Sequence, residues 1–342
     1  MDGIFKVGIT SDILDSRGQP VCGPEPLRTL DEAPGLQWEW LPQGIREITA
    51  DHGAAFDAIY INSPRVPAAA VAGSDLRLKV VSRHGVGYDS VDVAAMSRAG
   101  VLVCNTPNAV TRPVATMALS LMLALAHHLL AKDRITRDGR WNDRVDYMGM
   151  GLTGRTLGVV GAGGIGKELL RMARVFDLKL LAADPYVDEL DLGYVGARKL
   201  PLEQLMAESD FVVVTCLLNE ETRHLINART LSRMKPGAYL INVARGPVVD
   251  EPALYEALKA RRIAGAALDV FEEEPTPKTN PLLALDNVIV APHSLAWTDE
   301  LFRNIARTAI GAIAAVHRGE RPRFVVNPEV LSHARVRNWL KL

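Results

Sequence analysis

The chain has 342 residues, a formal net charge of −1, 48% hydrophobic residues and 23% charged residues. At roughly 150 residues per domain the length predicts about two domains, and the composition excludes a disordered, collagen-like or coiled-coil chain. The balanced charge speaks against a nucleic-acid surface or an acidic tail and favours a small, near-neutral ligand.

The start, Met1-Asp2-Gly3-Ile4-Phe5-Lys6, carries no secretory or transit signal, so a cytoplasmic protein is expected. Short apolar runs at 5–9, 36–41, 58–61, 78–82 and 101–104 read as strands alternating with helical stretches, which predicts a parallel sheet. A long apolar helix is predicted over 113–130. Its most apolar part, 117–130, is interrupted by Ser120, His127 and His128 and falls short of a membrane span, so no membrane partner is expected. The polar, Gly-containing stretch 131–151 reads as a connecting loop. A second alternating series follows, with strands at 156–160, 179–183, 211–215, 238–242, 264–268 and 288–290. A helix over 298–317 comes last, capped by Thr298 with Asp299 and Glu300 in its first turn, where carboxylates suit the helix dipole. Cys22, Cys104 and Cys216 form no Cys-x-x-Cys pair and read as packed thiols, and no metal site is expected.

Gly161-Ala162-Gly163-Gly164-Ile165-Gly166 matches Gly-x-Gly-x-x-Gly between a strand and a helix over 165–176. Such a turn needs glycine for a sharp bend, for close approach of a pyrophosphate and for tight helix packing, and it aims helix N–H groups at the anion. The next strand ends in Asp184, 21 residues past the middle glycine, where an acid meets the adenosine ribose. A carboxylate there repels a 2′-phosphate, so NAD is preferred over NADP unless Arg198 or Lys199 folds in. The fold class expected is α/β with two doubly wound parallel-sheet domains: a Rossmann dinucleotide-binding domain, 109–295, inserted into a flavodoxin-like substrate domain, 1–108 with 296–342. The chain would cross between them at its two long helices, where a hinge is expected.

Ligands of open parallel sheets bind beyond the carboxyl ends of the strands. Three polar residues follow strands there: Arg245, Glu274 and His293. Reduction of a 2-oxo acid requires a fixed cation for the carboxylate, which a guanidinium supplies with two-pronged geometry. It also requires a proton donor titrating near neutrality, which suits imidazole. Glu274 would hold the other ring nitrogen and so fix the tautomer. Each residue also has an ordinary reading: a turn cation before Gly246-Pro247, one of three adjacent glutamates on a solvated loop, and a polar residue near a helix.

The motifs Arg83-His84-Gly85-Val86-Gly87-Tyr88-Asp89, Asn105-Thr106-Pro107, Gly154-Arg155-Thr156-Leu157-Gly158, Asn242-Val243-Ala244-Arg245-Gly246, Asp269-Val270-Phe271-Glu272-Glu273-Glu274-Pro275 and Pro292-His293, with the glycine turn, occur in that order. In this set the chain resembles the D-isomer-specific 2-hydroxyacid dehydrogenase family, which includes phosphoglycerate, D-lactate, glyoxylate/hydroxypyruvate and phosphite dehydrogenases. The resemblance implies an NAD-dependent oxidoreductase interconverting a D-2-hydroxy acid and its 2-oxo acid, with two domains closing over the substrate. It implies Arg245 for substrate binding, Glu274 with His293 as the acid/base pair, and Asp269 near the nicotinamide carboxamide. Thr215, Cys216 and Ala244 would lie along the cofactor. Val86 and Gly87 match a loop whose N–H groups meet the substrate carboxylate, and Asn62 and Ser63 match a pocket segment. A homodimer is implied as well, to which the helix 113–130 would contribute.

The sequence departs from the family pattern at Ser294-Leu295-Ala296-Trp297-Thr298, which puts an indole, Trp297, where small residues of the substrate wall are common. Only 25 residues follow the last predicted helix, so no appended regulatory domain is expected. Two other readings stay open at this point: an NAD(H)-sensing, corepressor-like binding protein, and oxidation of a phosphite-type hydride donor.

Overall fold

The computed structural model describes residues 3–341. They form two compact units, one of the described residues up to Val110 and from Trp297 onward, the other Thr111–Ala296.

The first unit is built on five parallel strands, β1 (Phe5–Ile9), β2 (Leu36–Trp40), β3 (Ala58–Ile61), β4 (Val80–Arg83) and β5 (Leu102–Cys104), in the order β2-β1-β3-β4-β5. Strands covered on both faces read as unbroken apolar runs. Accordingly β3 is buried at all four positions, whereas the edge strand β2 alternates half-buried with exposed. The helix Asp299–His317 lays its apolar face, including Phe302, Ile310 and Ile313, into the core formed with Val7, Ile9, Tyr60 and Val80. Thr298 caps that helix, its Oγ1 accepting from Leu301 N–H at 3.1 Å. Beyond it, the Asn327 side chain accepts from Val103 N–H and donates to Val101 O, which ties the end of the chain to β5.

The second unit has seven parallel strands: β6 (Thr156–Val160), β7 (Lys179–Ala183), β8 (Ala197–Lys199), β9 (Phe211–Val214), β10 (Tyr239–Asn242), β11 (Gly265–Leu268) and β12 (Val288–Val290). Their order, β12-β11-β10-β9-β6-β7-β8, reverses direction between β6 and β9. Crevices that take dinucleotides lie at such a switch point. Both sheets are thus doubly wound and parallel.

Four features differ from the sequence reading. The edge strand β8 had no strand expectation; it has three residues and one buried position, too short for an apolar run to register. The first long helix runs Pro107–Ala126, starting six residues earlier than expected. Proline is favoured at a first helical position, and Pro107 supplies that start; Pro113 then lies inside the helix, where the ring costs one backbone hydrogen bond. At 20 residues, with a mean hydropathy of 1.6 over its most apolar window, this helix has the length and composition of a membrane span, and half of that window is buried in protein. Finally, 131–151 is not a plain loop. His128 takes φ +50° and breaks the chain, after which Leu129–Arg137 is helical, with an Asp133–Arg137 ion pair one turn apart, and Trp141–Asp146 forms a 3-10 turn.

Candidate active site

The two ends of the crevice in the second unit are set by different chemistry. At the first end, Gly161 closes β6 with φ +91°, and a Cβ there would lie 2.5 Å from the backbone N and Cα of Cys216. A Cβ on Gly166 would lie 2.3 Å from Gly161 O, so the helix Gly164–Ala173 can pack on the strand only with glycine there. Gly163 contrasts with both, since a Cβ there meets nothing within 4 Å. That open side lies at the N-terminus of a ten-residue helix, whose N–H groups favour an anion. Gly164 and Ile165 open that helix, with Thr111 Oγ1 at 3.4 Å from where a Gly164 Cβ would sit.

Thr215, after β9, braces the turn by donating from Oγ1 to Gly161 O at 2.6 Å. Cys216 follows, half-buried, and burial first of all pushes its thiol up to about 11. Asp184, at the end of β7, accepts from Ala162 N–H at 2.8 Å and from Tyr186 N–H at 2.9 Å. A cavity of about 430 Å³ opens beside it, lined by Val160, Pro201, Leu202 and Leu225 with Glu189 and Lys199. Lys199 donates from Nζ to Val187 O at 2.7 Å. An apolar slot with a carboxylate at its mouth and a bare glycine beside a helix N-terminus fits adenosine, ribose and pyrophosphate in that order. The residues present therefore fit a dinucleotide.

At the other end, β10, β11 and β12 are neighbours, so the residues leaving their carboxyl ends are brought side by side. Asn242 organises the exit from β10: its Oδ1 accepts from Ala244 N–H and its Nδ2 donates to Arg245 O. Arg245 donates through Nη1 to Ala244 O at 2.8 Å. A Cβ on Gly246 would fall 1.8 Å from the Phe271 carbonyl, so glycine is what lets this turn press against the exit from β11. There Glu274 Oε1 accepts from Phe271 N–H at 3.0 Å while its Oε2 lies 2.8 Å from His293 Nδ1. Half-burial alone would raise the Glu274 carboxyl. The hydrogen bonds from His293 and Phe271 N–H, with the charges of His293 and Arg245, outweigh it and hold the carboxyl below its ordinary range.

Of the three adjacent glutamates, Glu274 is the one on His293. Glu272 lies 3.1 Å from His224 Nε2 and accepts from Glu251 N–H. His293 has φ +53°, an uncommon conformation for a residue with a side chain. Buried Asp269 holds it there, accepting from Ser294 N–H at 3.0 Å and Leu295 N–H at 3.2 Å through one oxygen. Burial, the largest influence, raises the Asp269 carboxyl against those two donors. The supports from Asp269, Phe271 N–H and Gly246 carried no role of this kind in the sequence. Backbone donors leave no signature there, although the glycine directly after Arg245 was a visible sign of close approach.

In the first unit, Asn62 N–H donates to Thr10 Oγ1 and Ser63 N–H to Asp12 Oδ2 at 2.7 Å, at the carboxyl end of β3. His84 follows β4 and is buried, its Nδ1 2.6 Å from Tyr60 Oη. Burial first, then the Arg83 guanidinium, lowers its pKa to about 3, so the ring is neutral. Phe302 packs on His84 with centroids 5.3 Å apart, and Trp297, 59% exposed, meets Phe302 edge-on at 5.2 Å. His84, which directly precedes Gly85-Val86-Gly87, and Trp297 thus both pack on Phe302. Among the described residues, no group of three or more His, Cys, Asp or Glu side chains is placed to hold a metal.

Residues 119–294 match the family model of the D-isomer specific 2-hydroxyacid dehydrogenase, NAD binding domain. A glyoxylate reductase of Korarchaeum cryptofilum is 42% identical over 258 residues, 75% of this chain and 78% of the relative. A D-3-phosphoglycerate dehydrogenase of Archaeoglobus fulgidus is 38% identical over 293 residues, 86% of this chain and 55% of the relative. Among solved structures, a glyoxylate reductase from Paecilomyes thermophila superposes with a TM-score of 0.80 at 28% identity, the match covering 96% of this chain and 99% of that one.

Proposed function

Since the chain belongs to the D-isomer-specific 2-hydroxyacid dehydrogenase family, and is an oxidoreductase of CH–OH donors that uses a nicotinamide cofactor, we propose that Arg245, Glu274 and His293 carry its reaction. The observation behind this reading is the 2.8 Å pairing of His293 Nδ1 with Glu274, one strand away from Arg245. With Nδ1 engaged, Nε2 is the nitrogen that exchanges a proton with the substrate oxygen. Arg245 is assigned to the substrate carboxylate, and within the first unit the N–H groups of Val86 and Gly87 are assigned to carboxylate binding. Asn62, Ser63 and Trp297 bound the substrate side chain. The bound cofactor, when reduced, supplies the two electrons to the carbonyl carbon. Gly161, Gly163, Gly164, Ile165 and Gly166 hold its pyrophosphate, Asp184 its ribose, Thr215, Cys216 and Ala244 its flank, and Asp269 its nicotinamide end. Asp184 and Glu189 at the slot favour NAD over NADP.

Reduction of glyoxylate, hydroxypyruvate, pyruvate, phosphohydroxypyruvate and phenylpyruvate is to be followed by loss of NADH absorbance. Turnover of at least one acid is expected, with higher kcat/KM for NADH than for NADPH and a smaller ratio in Asp184→Ala. Tight NADH binding with no turnover of any acid would instead favour the NAD-sensing reading.

The same proposal includes a cytoplasmic homodimer. It is supported by three unpaired thiols, which fit a reducing compartment, and by exposed Leu129, Leu130, Trp141, Val145 and Met148 within 20 residues of chain. Light scattering should give twice the mass of one chain, and Trp141→Glu with Met148→Glu should halve it. A monomer for the unaltered protein would refute the dimer.

A further inference from the structure

The segment Asn105-Thr106 contributes nothing to the roles assigned above, yet it makes three hydrogen bonds to the loop that follows β4. Thr106 N–H donates to Gly85 O at 3.0 Å, Gly85 N–H donates to Thr106 Oγ1 at 3.1 Å, and Asn105 Nδ2 donates to Val86 O at 3.0 Å. In a planar trans peptide the carbonyl of one residue and the N–H of the next point in opposite directions. Pinning Gly85 O to Thr106 therefore turns Val86 N–H away from that segment. Pinning Val86 O to Asn105 does the same for Gly87 N–H. Gly85 takes φ +107°, a conformation open to glycine, and in it both its N–H and its carbonyl meet Thr106. The outcome is a pair of successive N–H groups presented together, the arrangement that makes a concave anion-binding surface. Thr106 itself is fully buried, so its hydroxyl is a fixed acceptor.

We propose that Asn105 and Thr106 are positioning residues for the substrate carboxylate: without touching substrate, they set the direction of the Val86 and Gly87 N–H groups. This rests on the reading that those N–H groups bind the carboxylate. It adds that their orientation is imposed from residues some twenty positions along the chain.

The test compares Thr106→Val, Thr106→Ser and Asn105→Asp with the unaltered enzyme. Steady-state reduction of glyoxylate and of pyruvate is measured at saturating NADH, and NADH Kd is measured by fluorescence titration. Valine keeps the shape and removes the acceptor, serine keeps the acceptor, and aspartate removes the donor. Thr106→Val and Asn105→Asp should each raise KM for the oxo acid about tenfold, with kcat changed less than about threefold and NADH Kd unmoved. Thr106→Ser should keep KM near that of the unaltered enzyme. If Thr106→Val fails to fold, half-buried Asn105 carries the test.

The inference is overturned if KM stays put in Asn105→Asp, if Thr106→Ser loses as much as Thr106→Val, or if NADH Kd shifts alongside KM. An unaltered enzyme inactive on every acid of the panel sinks the parent reading and this one together. An active one with unmoved KM sinks only this one.

Discussion

Replacing His293 with alanine is expected to lower kcat/KM for the 2-oxo acid by about 10³ to 10⁴ while leaving the Kd for NADH within about twofold. The imidazole is placed by two independent constraints, Glu274 on Nδ1 and Asp269 on the N–H groups of the next two residues, and neither runs through the glycine turn. Glu274→Gln tests the pairing more finely. Its carboxyl lies below the ordinary range, so the ionised pair is fully present above the unfolded carboxylate value and is lost as pH falls through the lowered folded value. The unaltered enzyme should keep its activity into mild acid and lose it on that limb, whereas Glu274→Gln should have reduced activity without that limb. A parallel loss of NADH binding in His293→Ala would show that the histidine belongs to cofactor binding, contrary to its assignment.

The second large effect is expected from a pair of glycines two residues apart. Gly161→Ala forces a side chain into φ +91° and a Cβ to within 2.5 Å of Cys216 backbone atoms, so β6 or β9 must shift. A destabilisation of about 2–4 kcal/mol is expected, together with loss of NADH affinity of more than about tenfold. Gly163→Ala has neither problem: its φ is −67° and its Cβ meets no protein atom within 4 Å. Its stability should stay within about 0.5 kcal/mol, yet NADH affinity should fall, because the methyl occupies the space a pyrophosphate needs. Thermal melts with NADH titrations separate the two. Unchanged NADH affinity in Gly163→Ala would remove the pyrophosphate from that face.

The alternation of apolar runs was enough to read two parallel sheets, because strands covered on both faces must be apolar throughout. Runs such as 58–61 and 156–160 coincide with β3 and β6. Weak edges escaped: β8 has one buried residue, and the helix Leu129–Arg137 has one buried residue, Ile135, and a predominantly polar composition. Their stability comes from neighbours and from local pairs such as Asp133–Arg137, which apolar periodicity does not record.

The linear chain was sufficient to fix the fold class, the glycine turn with its acid 21 residues on, and the polar residues at the strand ends, since each depends on local spacing and backbone sterics. Tertiary structure alone decided that Glu272 turns to His224, that Asp269 holds the backbone after His293, and that Asn105 and Thr106 bond to the carbonyls of Val86 and Gly85. These are bonds between segments about 20 residues apart or more, made possible by the order of strands in each sheet. Their direction is set by peptide planes and glycine clearances, and residue type does not encode either.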